Sequence, residues 1–141
     1  MDQFITFLTA HPMLSAAWVG IFIAIIVTTI KIQFSPIKQL SPQELTFAVN
    51  KEDGIVLDIR TEKDFKASHI LDAHHLTVEK INKNELGTLE KYKDKPIIVV
   101  CAAGITASTT ASKLYKAGYS KTSLLKGGMN AWVNAGLPVK K

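Results

Sequence analysis

The residues with the clearest chemical potential lie in the stretch IIVVCAAGITAS, which runs from Ile97 to Ser108 and contains the only cysteine of the chain. An apolar run ends at Cys101, a loop of small uncharged residues follows, and a helix is predicted from Thr106 to about Ala117. Small residues and a glycine let successive backbone N–H groups turn toward one point, and a helix N-terminus behind them favours an anion. The loop would therefore stabilise a nucleophilic thiolate.

Two interpretations of Cys101 fit these residues. Free cysteine is among the most buried residue types, so Cys101 can be a small apolar side chain at the end of a strand. Alternatively, Cys101 is the reactive thiol of an anion-binding loop. A single cysteine excludes an internal disulfide and a cysteine-cluster zinc site. A lone thiol also suits a reducing compartment, which predicts a domain in the cytoplasm.

Predicted strands and helices alternate along the chain after a linker, KIQFSPIKQLSPQ. The predicted strands are GIVLDI, HHLTV, KPIIVVC and TSLLKGG. The predicted helices run from Pro42 to about Asn50, from Thr61 over a short stretch, within NELGTLEKY, from Thr106 to about Ala117, and over MNAWVNAG. This alternation predicts an α/β fold with a parallel sheet covered on both faces. Ligands of such sheets bind beyond the carboxyl ends of the strands, where Cys101 lies.

An uncharged apolar segment, Met13 to Ile30, precedes the domain. Its 18 residues would span roughly 27 Å as a helix, close to the thickness of a bilayer core. A buried core helix is disfavoured because the segment is apolar on all sides, and a cleaved signal peptide because no basic residue precedes it. The sequence therefore predicts an uncleaved transmembrane helix in contact with lipid.

The lysines that flank this segment predict its orientation. Lys31 and Lys38 follow the apolar run, and no lysine or arginine precedes it. The positive-inside bias then places the N-terminus outside and the C-terminal domain in the cytoplasm. We expect a short external segment at 1–12, a transmembrane helix at 13–30, a linker at 31–36 and a domain at 37–141.

The net charge of +5 consists largely of lysine, because Arg60 is the only arginine. Nucleic-acid-binding domains usually cluster basic residues with arginines and aromatics. Here the lysines are scattered among acids, as in KYKDK, so nucleic-acid binding is not expected.

Three separated blocks, VLDIRTEKDFKASHILDAHHL, IIVVCAAGITAS and LLKGGMNAWVNAGLPV, resemble the signatures of the rhodanese family in order and spacing. Together they cover most of residues 37 to 139. With the apolar segment in front, the chain is similar to single-span, membrane-anchored rhodanese-like proteins, which implies the bacterial inner membrane. The resemblance also implies a five-stranded parallel sheet flanked by helices, and sulfurtransferase chemistry without a cofactor or a metal.

Carried onto this sequence, the resemblance implies that Cys101 takes a sulfur atom from a small donor, forms a persulfide and passes the sulfur to a thiol or protein acceptor. The persulfide would be held by the backbone N–H groups of Ala102, Ala103, Gly104, Ile105, Thr106 and Ala107. Asp58 and Arg60 match the Asp-x-Arg of the first block. A structural ion pair beside the loop is favoured over direct catalysis.

Departures from the family pattern limit which substrates and reactions are expected. The loop has no cationic residue, which weakens the case for the dianion thiosulfate, and Thr106 looks more like the mercaptopyruvate-using branch. Related phosphatases clamp phosphate with a loop arginine, which is missing here, so phosphatase activity is not expected. Ser68 and Asp72 replace two signature glycines in a turn. The histidines are assigned no catalytic or metal-binding role: His69, His74 and His75.

A second function remains open from the sequence. The domain could be a membrane-tethered docking module for protein partners, including membrane proteins, with little or no catalysis. The absent loop cation and the anchor both leave room for this alternative, whereas the presence of Cys101 favours the enzyme.

Overall fold

The computed structural model describes residues 1–33 and 36–141. The chain divides into two compact units, Met1–Ser35 and Pro36–Lys141. Part of the predicted linker at 31–36 lies outside the described residues.

The first unit consists of two helices, α1 (Asp2–Ala10) and α2 (Pro12–Gln33). Within α2, the 20 residues Pro12–Lys31 have a mean hydropathy of 2.3 and are almost entirely exposed. By length and composition this helix could cross a membrane. The predicted span, 13–30, lies inside it, and helix α1 occupies most of the segment predicted to be external.

The second unit is built on a five-stranded sheet in the order β1-β5-β4-β2-β3, in which every neighbouring pair is parallel. Its strands are β1 (Lys38–Leu40), β2 (Ile55–Asp58), β3 (His74–His75), β4 (Ile97–Val100) and β5 (Thr122–Leu125). The predicted five-stranded parallel sheet is thereby confirmed. The first strand lies within the stretch KIQFSPIKQLSPQ that the sequence predicted to be a linker, because this edge strand has three residues and no apolar run.

Helices follow the strands: α3 (Pro42–Lys51), α4 (Glu62–Ala67), α5 (Val78–Asn82), a 3₁₀ helix (Gly87–Tyr92), α6 (Ile105–Lys116) and α7 (Gly128–Asn134). Helix α5 was not predicted. The stretch NELGTLEKY forms the 3₁₀ helix rather than a regular α-helix, and the strand within HHLTV shrinks to two residues.

The hydrophobic core has two layers, one on each face of the sheet, because successive side chains of a strand point to opposite faces. Ile97, Val99 and Cys101 belong to one layer, whereas Ile98 and Val100 belong to the other. Every buried residue of both layers lies in the second unit. That unit therefore carries its own core.

Candidate active site

Cys101 directly follows the central strand β4, so the strand delivers it to the carboxyl edge of the sheet. Its side chain is buried, at 5% exposure, and the Gly104 N–H donates a hydrogen bond to Sγ at 2.9 Å. The two interpretations of the cysteine are thus compatible, because the thiol is packed against the core and also contacts a backbone donor of its loop.

Helix α6 begins immediately behind the thiol. Its N-cap residue is Gly104, which has φ 89° and supplies no side-chain cap. The N–H groups of a first helical turn have no intrahelical partner and carry partial positive charge, so they are available to an anion beside Sγ. Ala102 and Ala103 are exposed, and Ile105 is 81% exposed, so the rim of the loop is open to solvent.

Backbone hydrogen bonds from the start of α7 hold the Cys101 loop in place. The Met129 N–H donates to the Cys101 carbonyl at 2.8 Å, and the Asn130 N–H donates to the Ala102 carbonyl at 3.1 Å. Two loop carbonyls are thereby engaged by α7, while the Gly104 N–H is directed to sulfur. The conformation of the loop thus depends on a helix that starts 27 residues later in the chain.

Gly128 makes this contact possible. It has φ 59°, and a Cβ atom there would lie 2.2 Å from the Cys101 carbonyl oxygen and 2.7 Å from the Ala102 carbonyl oxygen. Sequence reasoning used the Gly-Gly pair as a family signature and missed its contact with the cysteine loop. The available signal was two adjacent glycines directly after a strand.

Asp58 and Arg60 pair with each other at the same edge of the sheet. Asp58 is in register with Val100, and its carboxylate is 99% buried. It accepts hydrogen bonds from the Arg60 backbone N–H at 3.0 Å and from Arg60 Nη2 at 2.7 Å. Nη2 also donates to the Ser68 carbonyl at 2.6 Å. The guanidinium therefore fixes the turn after β2 and the end of α4, and no hydrogen bond or ion pair within the described ranges joins it to Cys101.

The histidines have structural partners. Phe65 stacks between His69 and His75, with ring centroids 4.0 and 4.5 Å apart. His69 Nδ1–H donates to the Phe65 carbonyl at 2.8 Å, and His75 Nε2–H donates to the Arg60 carbonyl at 2.7 Å. His74 packs against the ring of Tyr92. In the part of the chain that the structure describes, no three metal-ligating side chains cluster.

A parallel five-stranded sheet with a cysteine between its central strand and the uncapped start of a helix is the arrangement that the resemblance implied for a rhodanese-like domain. A family model of the rhodanese-like domain matches residues 41–135. The chain therefore belongs to the rhodanese-like domain family.

Individual proteins show the same relationship. The chain is 39% identical over 139 residues to the uncharacterized protein YibN of Escherichia coli (strain K12), covering 99% of this chain and 97% of the relative. It is 32% identical over 103 residues to the thiosulfate sulfurtransferase GlpE of Glaesserella parasuis, covering 72% of this chain and 92% of that protein. The rhodanese-like domain of an Anabaena protein superposes with a TM-score of 0.64 at 27% identity, covering 72% and 77% of the two chains.

Proposed function

We propose that this protein is a membrane-anchored sulfurtransferase that carries sulfane sulfur as a persulfide on Cys101. The observation that carries the proposal is the 2.9 Å contact between the Gly104 N–H and Sγ, at a helix start that no side chain caps. A donor aimed at sulfur favours its anionic form, and both the thiolate and the persulfide are anions.

The chemistry is a double displacement. The Cys101 thiolate attacks the outer sulfur of the donor, a new S–S bond forms, and the bond inside the donor breaks with its electron pair leaving on the remainder. With thiosulfate the leaving group is sulfite, and with 3-mercaptopyruvate it is pyruvate, whose carbon takes up a proton. An acceptor thiolate then attacks the terminal sulfur of the persulfide, and the Cys101 thiolate leaves.

The loop supplies the binding groups for the persulfide. Its terminal sulfur would extend from Sγ toward the exposed rim, within reach of N–H groups of the loop. The proposed binding set is the backbone of Ala102, Ala103, Gly104, Ile105, Thr106 and Ala107. In this account Asp58 and Arg60 position the neighbouring turn and take no part in the transfer.

The sulfur donor is a small anion. The GlpE relatives are thiosulfate sulfurtransferases, which supports thiosulfate as the donor. The loop offers that dianion no cation, only backbone N–H groups and the Thr106 hydroxyl, which suits the monoanion 3-mercaptopyruvate better. The acceptor is a low-molecular-weight thiol or a protein thiol.

Helix α2 is the proposed anchor in the bacterial inner membrane. Its 20-residue apolar stretch and the lysine at its end support a single-pass topology, with the N-terminus outside and the domain in the cytoplasm. Reporter fusions at the C-terminus test this topology. A signal from a reporter that works only outside the cytoplasm would contradict it.

Steady-state kinetics of the detergent-solubilised full chain test the transfer. Donor and thiol acceptor are both varied, and formation of the acceptor persulfide is measured for the wild type and for Cys101→Ser. A double displacement predicts parallel double-reciprocal lines and no turnover in the variant. Intersecting lines, or turnover by Cys101→Ser, would contradict a persulfide on Cys101. Absence of turnover with a cellular role retained by Cys101→Ser would instead favour the docking module.

A further inference from the structure

Lysines that are scattered along the sequence come together at the edge of the sheet where the strands begin, opposite the edge that carries Cys101. We call this the strand-start edge. Its lysines are Lys38, the first residue of β1, and those that lie in the segments leading into β2, β4 and β5 or in the last helical turn before them: Lys51, Lys91, Lys93, Lys95, Lys113, Lys116 and Lys121. Because all the strands are parallel, these segments share one end of the domain.

Contacts between the segments confirm that they meet. Lys95 Nζ lies 2.7 Å from Asp53 Oδ2, which links the segments before β4 and β2. Lys93 Nζ lies 5.7 Å from the ring centroid of Tyr119, which links the segments before β4 and β5. The side chains of Lys38 and Lys121 line one cavity. The lysines therefore form one surface.

This surface carries excess positive charge. Eight lysines share this surface with five carboxylates, those of Glu44, Glu52, Asp53, Glu90 and Asp94. Glu44 and Glu52 line the cavity of Lys38 and Lys121, and Asp53 is paired with Lys95. The side chains of Lys51, Lys116 and Lys121 are exposed and make no ion pair within the described ranges. At the opposite edge, by contrast, Asp58 neutralises Arg60.

We propose that the strand-start edge binds the anionic surface of a lipid bilayer. The proposal rests on the membrane anchor proposed above, because the anchor is what brings the domain to lipid. In the sequence, four residues separate Gln33, the last residue of α2, from Lys38, the first residue of β1. The chain therefore enters the domain at this edge.

The chemistry of the edge fits lipid headgroups. The cytoplasmic leaflet is anionic and attracts clustered lysines close to a membrane-spanning segment, without a need for a shaped pocket. Nucleic-acid surfaces usually add arginine, and the one arginine of this chain is held by Asp58 at the other edge. Docking through the strand-start edge would leave the Cys101 loop facing soluble donors and acceptors.

Vesicle flotation of the isolated domain, residues 36–141, tests the proposal. We expect this part to fold alone, because it contains both core layers and because the match covers 92% of a GlpE relative. Its binding is compared on phosphatidylcholine vesicles and on vesicles with about a third phosphatidylglycerol. The edge variant combines Lys51→Gln, Lys116→Gln and Lys121→Gln. The matched control removes the same charge elsewhere, through Lys63→Gln, Lys126→Gln and Lys140→Gln.

We expect binding to the anionic vesicles, a loss of about a hundredfold in the edge variant, and a change of less than about fivefold in the control. Absence of binding to anionic vesicles, or equal losses in both variants, would overturn the proposal. A preference for random-sequence RNA over anionic vesicles at equal phosphate concentration would overturn it in favour of a nucleic-acid surface.

Failure of this proposal can be told apart from failure of the proposed function. The vesicle assay uses no part of α2, so a full chain found in the soluble fraction would disprove the anchor without changing the flotation result. Sulfur transfer by the full-length edge variant should match the wild type, because none of its three lysines lies near Cys101.

Discussion

Helices α3 and α6 begin at the same edge of the sheet, each directly after a parallel strand, yet their N-termini differ. Ser41 caps α3: its Oγ accepts from the Glu44 N–H at 3.2 Å, and Glu44 Oε2 accepts from the Ser41 N–H at 2.7 Å. Helix α6 starts after Gly104, which has no side chain, and the Gly104 N–H is directed to the Cys101 sulfur. At the start of α3, side chains thus accept hydrogen bonds from backbone N–H groups, whereas no N-cap side chain does so at the start of α6. The N–H groups of α6 therefore remain available to an anion.

In the turn after β2, as at the start of α3, the polar side chains are paired within the protein and are not available to an anion. The Asp58 carboxylate and the Arg60 guanidinium satisfy each other, and the remaining contact of Nη2 is with the Ser68 carbonyl. Asp58 and Arg60 therefore fix structure at this edge, and the Cys101 sulfur lies in the loop without charged residues.

Arg60→Met gives the largest expected effect on stability. The variant leaves the Asp58 carboxylate buried without a partner, which should cost about 4 kcal/mol in the free energy of unfolding, measured by urea denaturation. The double variant Asp58→Asn/Arg60→Met removes both charges and should recover part of that loss. A folded Arg60→Met protein should still load sulfur on Cys101. A more than hundredfold loss of loading per folded molecule would place Arg60 in the chemistry.

Gly128→Ala should disturb the Cys101 loop, because the start of α7, where Gly128 lies, holds the carbonyls of that loop. The new Cβ would overlap the Cys101 carbonyl oxygen, so the variant should lose about 3 kcal/mol of stability and most of its sulfur loading. Gly136→Ala is the matched control, because Gly136 also has positive φ, 70°, but its Cβ would meet no atom within 4 Å. The control should lose about 1 kcal/mol and keep its loading. Equal losses in the two variants would show that backbone strain alone explains the effect.

Ser41→Ala tests the contribution of the N-cap of α3 to stability. Loss of an N-cap hydroxyl should lower the free energy of unfolding by about 1 kcal/mol, measured by thermal or urea denaturation. Sulfur loading should not change, since α3 takes no part in the loop. Impaired loading in a fully folded Ser41→Ala protein would contradict the contrast between the two helix ends.

Glu44→Gln isolates the charge of the same cap and has the smallest expected effect. Hydrogen bonds from the Ser41 backbone N–H and hydroxyl lower the pKa of Glu44 in the folded protein below its ordinary value of 4.5. Its contribution to stability is therefore present above that ordinary value and is lost as the pH falls through the lowered one. The stability difference between wild type and Glu44→Gln should shrink on acidification. A difference independent of pH would contradict this.

The sequence predicted the elements whose local signal is strong. Strands β2 and β4 are short, largely apolar runs, β5 ends in two leucines, and α3 has both a cap and a first-turn proline. The local pattern of each element therefore agrees with its place in the fold. Strand β1 was missed because Lys38 and Gln39 are exposed, and pairing with β5 makes it a strand. Its structure depends on a partner more than 80 residues away, which no local pattern reports.

Some features of the candidate site could likewise be predicted from the local sequence, and others could not. The anion-binding role that we propose for the Cys101 loop rests on its own small residues and on the helix behind it, so the sequence indicated it. The contact of Gly128 with the loop, like the gathering of lysines at the strand-start edge, arises from the parallel topology and joins segments that are distant along the chain. Such contacts could not be predicted before the order of the strands was known.

The most direct test of the account is the intact mass of the protein after a single turnover. The reduced domain is mixed with one equivalent of thiosulfate or 3-mercaptopyruvate, weighed, and weighed again after a thiol acceptor is added. A persulfide on Cys101 predicts a gain of one sulfur atom that disappears when the acceptor is added and is absent from Cys101→Ser. No gain with either donor, or a gain that persists in Cys101→Ser, would contradict it.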